Sequence, residues 1–244
     1  MTTRAVAWAG LAAAFGALLA SFSATAQGVE PTWYAQAIAR GDMGLNITEF
    51  WSKGAKMRAE TVVAGHKVVT IVNGDTYYAY DSLTKRGVAI GRAPAAIAAD
   101  DPQRRPFGKE AQVLLRQGAE KVREEVFLGR PCDVYRVTDR RGRREIWVTR
   151  DAKQLPLRIQ VYVRSRHRNQ NTDYVNWLSG LSISDRFFEP EAGIELDRIG
   201  FAEYVVRAST DLVGPVPVLY ADLLRGKRGE YPLDLPGIGD DAAD

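Results

Sequence analysis

The sequence predicts an α+β protein that is mainly β: one large antiparallel sheet that curls, with a few helices against its concave face. Three observations predict it. Apolar runs of strand length recur from residue 45 to residue 182. The connections between them are short and turn-like, so neighbours pair antiparallel as a meander. About ten such strands are too many for a flat sheet, which curls instead.

The first stretch stands apart from this fold. Arg4 precedes the uncharged run "AVAWAGLAAAFGALLASF", and Ala24-Thr25-Ala26 follows it. This is the grammar of a secretory signal peptide, residues 1–26, cleaved before Gln27. The run is long enough for a membrane anchor, but it is rich in Ala and Gly and ends in small residues. No cysteine adjoins the cleavage site and no twin-arginine motif precedes it. The expectation is an exported, periplasmic protein, soluble after cleavage.

Residues 31–40, "PTWYAQAIAR", read as a short helix. Pro31 suits its first turn, Trp33/Ala37 and Tyr34/Ile38 are i,i+4 pairs, and Gly41 suits its end. Strands are predicted over 45–52, 56–64, 67–73, 75–81 and 86–91. Asn73-Gly74 predicts a two-residue type I′ turn between the third and fourth of them. Those two strands are apolar on both faces, which raises the question of what covers the second face. Pro94, Pro102 and Pro106 exclude paired strand over 92–106. Phe107, Ala111, Leu114 and Leu115 share a helical face, and Gly118 ends that helix. Strands resume over 120–128, 132–139, 143–149, 155–164 and 172–182. A turn and a short extended piece are expected over 183–200. The domain proper is taken as 27–200. Residues 201–244 form a C-terminal extension, irregular over much of its Pro-rich part.

Composition excludes several classes of function. The formal charge is +3, or +2 without Arg4, too small to argue for nucleic acid. Cys132 is the single cysteine, so no intramolecular disulfide forms, and its strand-like setting predicts a buried, inert thiol. His66 and His167 both lie in turn-like stretches, neither beside a nucleophile elbow. Metal-ligand spacing and phosphate-binding glycine motifs are missing, so no metal or cofactor is expected. Glu60, Glu124, Glu125 and Glu145 alternate with apolar residues, as on a solvated strand face. No enzyme is predicted. Two basic clusters remain: Arg140, Arg141, Arg143 and Arg144, then Arg164, Arg166 and Arg168. They read as solvated turns, or as attraction to anionic lipid headgroups or an acidic partner.

Four blocks carry a resemblance: "FWSKGAKMRAE", "VNGDTYYAYDS", "IWVTRDAKQLPLRI" and "DRFFEPEAGIEL". In that order, over roughly residues 30–200, they resemble the LolA/LolB-like superfamily of periplasmic lipoprotein carriers. Asn73, Gly74, Thr76, Tyr77 and Tyr80 match that family's hairpin motif. Phe188, Pro190 and Gly193 match its closing motif. Trp51 and Lys53 match the start of its lipoprotein-carrier turn, but Gly54 and Ala55 stand where those carriers have arginine and proline. The resemblance implies a half-open barrel whose cavity takes acyl chains without covalent chemistry.

Two functions follow. The first is a periplasmic binder or carrier of lipoproteins, lipids or other acylated molecules, in transient contact with a membrane or membrane-protein partners. Its candidate lining is Trp51, Met57, Val69, Ile71, Tyr78, Tyr80, Tyr135, Trp147, Ile159 and Trp177. For each of these, plain core packing is the alternative. The second is a protein-interaction module, a stress sensor or assembly factor, on the same fold.

Overall fold

The computed structural model describes residues 30–41, 44–140, 142–166, 168–210 and 213–226. The expected signal peptide lies outside the described residues. The chain opens with a six-strand meander: β1 Thr32–Gly41, β2 Gly44–Lys53, β3 Lys56–Val63, β4 His66–Asn73, β5 Thr76–Asp81 and β6 Arg86–Gly91. Two short helices follow, α1 Pro94–Ala98 and α2 Glu110–Arg116. A second meander holds β7 Glu120–Phe127, β8 Arg130–Thr138, β9 Gly142–Thr149, β10 Pro156–Val163 and β11 Arg168–Ser179. The chain then makes a 3-10 turn, Asp185–Phe188, and enters β12 Glu195–Ile199, α3 Phe201–Ala208 and α4 Ala221–Arg225.

All twelve strands form one open sheet, in the spatial order β12-β6-β5-β4-β3-β2-β1-β11-β10-β9-β8-β7. Laid flat at about 4.8 Å per strand, it would be roughly 50 Å wide. It is curved instead. Val88 and Ile90 of β6 share one core cluster with Ile159 and Val161 of β10 and with Leu114 of α2. That shared face is the inner face.

Strand parity assigns the two faces. Ala35, Phe50, Ala59, Thr70, Ala79 and Val88 lie opposite one another across β1 to β6 and point inward. The adjacent row, Tyr34, Trp51, Arg58, Ile71 and Tyr78, points outward. Alternation explains why β4 looks apolar throughout: Val68 and Val72 serve the inner core, Val69 and Ile71 an outer one.

Three expectations change. Residues 32–41 are strand, not helix. The i,i+4 pairs seen there coexist with period two, which buries Ala35 and Ala37 on one side. β1 is paired with β2 and with β11, and a full ladder on both sides outweighs the weak preference of a ten-residue helix. Second, the turn after β4 is shifted by one residue. Asn73 pairs with Thr76, so Gly74 and Asp75 form the turn, with Gly74 at φ +60° and no positive φ at Asp75. Positive φ at the first central residue alone marks a type II′ turn. Third, β12 pairs parallel with β6, having crossed from β11 to the far edge of the sheet.

Candidate functional site

The inner face is an apolar floor. Met57, Val72, Tyr77, Ala79, Val88 and Ile90 are buried there, and Ile146, Val148, Ile159 and Val161 extend it through β9 and β10. Its cover comes from three places. Phe107, Ala111 and Leu114 descend from the α2 region, Tyr204 from α3, and Val216 and Leu224 from residues 213–226. Residues 213–220 contain no strand and no helix.

The cover is tied down at few main-chain points. The Tyr77 hydroxyl donates to the Leu219 carbonyl. Arg92 is the second tie. Its guanidinium is fully buried, takes both Asp100 oxygens at 2.8 Å, and donates to the Leu223 carbonyl at 2.6 Å and the Gly74 carbonyl at 2.5 Å. A buried cation needs this many acceptors to offset lost hydration. The Ala93 N–H donates to the Leu224 carbonyl at 2.9 Å.

Aromatic rings fill one end of the floor. Phe107 stacks on Phe50 at 5.1 Å and on Trp177 at 5.8 Å, and Tyr220 meets Phe50 edge-on at 5.6 Å. The Arg105 guanidinium lies 5.2 Å from the Trp33 ring and 5.0 Å from Trp177, within cation–π range. Glu110 accepts from the Tyr174 hydroxyl at 2.5 Å. Burial pushes the Glu110 carboxyl above its usual range, against the opposing effects of that hydrogen bond and of Arg105. A small cavity of about 40 Å³ opens beside α1 and α4, lined by Asp100, Asp101, Asp222, Arg104 and Lys109. A benzene needs roughly 150 Å³, so this space suits a few waters and not an acyl chain.

The outer face answers the question of the second apolar surface. Val69, Ile71 and Tyr80 pack under Phe188, with Trp51, Tyr78, Phe187 and Ile194 around them. The Phe-Phe-Glu-Pro-Glu stretch is therefore a cap. Arg58 lies 4.9 Å from the Phe187 ring and bonds Glu60 at 2.8 Å and Glu191 at 3.1 Å. Asn73 Nδ2 donates to the Phe188 carbonyl at 3.1 Å, and Lys53 and Lys56 both reach Asp185 at 2.9 Å.

The ten candidate lining residues do not share one surface. Met57 and Ile159 belong to the inner core, and Tyr135 and Trp177 pack against it. Val69, Ile71 and Tyr80 lie in the outer cluster, with Trp51 and Tyr78 against it. Trp147 sits in a third cluster with Cys132, Val134 and Leu157, which Trp177 also touches. The reason is parity: on β2, Phe50 points inward and Trp51 therefore outward. Phe50, Tyr77, Phe107, Tyr174 and Tyr220 were missed on the inner face. The signal for Phe50 and Tyr77 was their strand register with Met57.

The polar groups form structural pairs. His66 Nδ1 lies 2.9 Å from Asp81. Hydrogen bonds from His66, the Leu83 N–H and Thr84 lower the Asp81 carboxyl to about 2. Cys132 is buried, and burial pushes its thiol up. Among the described residues, no group of three or more His, Cys, Asp or Glu is placed to hold a metal. No helix among them is long and apolar enough to cross a membrane.

These features define a class: a curved-sheet fold with an apolar inner face beneath a cover of helices and irregular chain. No protein-family model and no curated protein matches the sequence. Solved structures do match. An uncharacterized conserved protein from Thermus thermophilus is 11% identical, with a TM-score of 0.49 over 69% of this chain and 91% of that one. MucB in its complex with MucA, from Pseudomonas aeruginosa, is 15% identical, with a TM-score of 0.43 over 69% of this chain and 58% of that one. This chain thus spans just over half of that protein's length. An outer membrane lipoprotein-sorting domain from Vibrio parahaemolyticus is 13% identical, with a TM-score of 0.31 over 67% of this chain and 91% of that one.

Proposed function

We propose that the protein is a non-covalent periplasmic binder of acylated or otherwise apolar molecules, and that the inner face is its binding surface. The observation that carries this reading is the asymmetry of the inner face: an apolar floor running from β6 to β10 whose cover over residues 213–220 is neither strand nor helix. Met57, Tyr135, Ile159 and Trp177 are the proposed lining, joined by Phe50 and Tyr77. Residues 213–226 pack on that floor and move aside for a ligand. Each methylene of an acyl chain buried there contributes about 0.8 kcal/mol, so a partly enclosed chain binds usefully. The test is extraction of the purified protein for lipid mass spectrometry, with titration by an environment-sensitive fatty-acid probe. One-to-one binding, displaced by a natural acyl ligand, is expected. No co-purified lipid and no probe binding would defeat the reading.

A second reading rests on a different aspect of the same segment. The inner face already holds a stretch of polypeptide, with Tyr77 and Arg92 donating to its carbonyls. A partner's peptide that replaces residues 213–226 would make the protein an interaction module. A peptide of that sequence competing for the inner face, with no acyl probe bound, would favour this reading over the first.

A further inference from the structure

We propose that one rim of the sheet is a docking surface for an anionic lipid bilayer. Register places five hairpin ends side by side along it. Asp81 pairs with Arg86, Val63 with His66, Gly41 with Gly44, Val163 with Arg168 and Thr138 with Arg143. The sheet order sets these ends in a row, and Val163 pairs with Gly142, so Arg164 and Arg143, one from each arginine cluster of the sequence, lie at neighbouring strand ends.

The rim presents cations to solvent. Arg86, Arg140, Arg143 and Arg164 are exposed. No ion-pair partner is present for Arg86, Arg140 or Arg164 among the described residues. Arg143 reaches Glu145 only at 3.6 Å, and Glu145 is shared with Arg123 and Arg136. The same rim presents apolar side chains. Leu45, Val62 and Leu83 are 63%, 60% and 69% exposed. They stand at three of the hairpin ends, in the half of the rim away from the arginine pair.

This combination selects the occupant. A row of five hairpin ends is an extended edge and not a pocket, so it fits a surface rather than a small anion. Cations without partners fit a negative surface, and the charge complementarity acts within about a Debye length. Exposed leucine and valine on the same edge fit the boundary between headgroup and acyl chain, where basic and apolar groups bind together. On the opposite rim, Lys53 and Lys56 at the β2–β3 turn are both committed to Asp185. The bilayer reading does not depend on what the inner face binds.

The experiment is co-sedimentation of the full chain with phosphatidylcholine vesicles, with and without about one-third phosphatidylglycerol. The wild type is compared with Arg140→Glu/Arg164→Glu and with Leu45→Ser/Leu83→Ser, all three sharing the same N-terminal residues. Both substitutions alter exposed positions, and circular dichroism checks that the fold survives. Binding to the anionic vesicles is expected to fall at least about tenfold in the charge-reversed variant. It is expected to become more salt-sensitive in the serine variant, where the apolar share is lost. Equal binding by wild type and charge-reversed protein would overturn the proposal. So would retention of the wild type by polyglutamate but not by vesicles, which would assign the rim to an acidic protein.

Discussion

The sheet carries two covers, and they are built differently. The outer one, residues 183–196, is short and leads into β12, which hydrogen-bonds along β6 over five residue pairs. Ion pairs from Lys53, Lys56 and Arg58 fasten it, and Phe188 plugs it with no exposed surface. Of the inner one, residues 213–226 form no ladder with the sheet. They rest on inserted side chains and on the Tyr77, Arg92 and Ala93 hydrogen bonds. A segment within a ladder opens only when the sheet opens, whereas one held by side chains can open locally. The outer cover, continuous with that ladder at one end, is therefore expected to be structural. Under the proposed function, residues 213–226 are the exchangeable part of the inner cover.

Substitutions in the two covers test this contrast, beginning with the largest effect. Phe188→Ala removes a fully buried ring from the structural cover and is expected to cost about 3–5 kcal/mol in denaturant unfolding. Leu224→Ala is as deeply buried but sits in the exchangeable cover. It is expected to cost less than about 2 kcal/mol, below the usual range for a leucine, because its segment can undock without unfolding the sheet. Equal losses would erase the distinction. Next comes Gly74→Val in the hairpin under both covers. No atom crowds a β-carbon there, so the cost is backbone strain at φ +60°, about 1–3 kcal/mol, read as a lower Tm.

Two pH effects are smaller. The raised Glu110 carboxyl holds its proton more tightly in the folded protein than in the unfolded chain. Its favourable contribution is complete below the ordinary carboxylate value and is lost as pH rises through the folded value. Glu110→Gln should accordingly raise the Tm relative to wild type at neutral pH and leave it nearly unchanged in acid. Asp81 behaves oppositely, because its carboxyl is lowered from 3.8 to about 2. Its contribution is present above 3.8 and is lost as pH falls through about 2. Asp81→Asn should flatten the acid limb of the stability curve. A Glu110→Gln profile that parallels wild type at every pH would remove Glu110 from the inner cover's energetics.

Much of the sheet was legible because hairpins are local. Alternation and turn residues located the meander strands, and prolines located the break before α2. What failed was whatever depended on distant chain. The β1 segment carries both a helical and an alternating pattern, and only its two flanking strands decide between them. Asn73-Gly74-Asp75 offers two overlapping turns one residue apart, and the pairing of Asn73 with Thr76 selects the second. The parallel β12–β6 pair joins segments separated by more than a hundred residues, which no local pattern announces. At the site, alternation separated Met57 from Arg58 and Phe50 from Trp51, but it could not say which set faces inward. That depends on where α2, α3 and residues 213–226 dock.

Hydrogen exchange of the backbone, with and without a saturating fatty-acid probe, tests the exchangeable inner cover most directly. The account predicts that residues 213–226 lose protection when the probe occupies the inner face, while residues 183–196 keep theirs. Unchanged protection in 213–226 with the probe bound, or loss confined to 183–196, would contradict it.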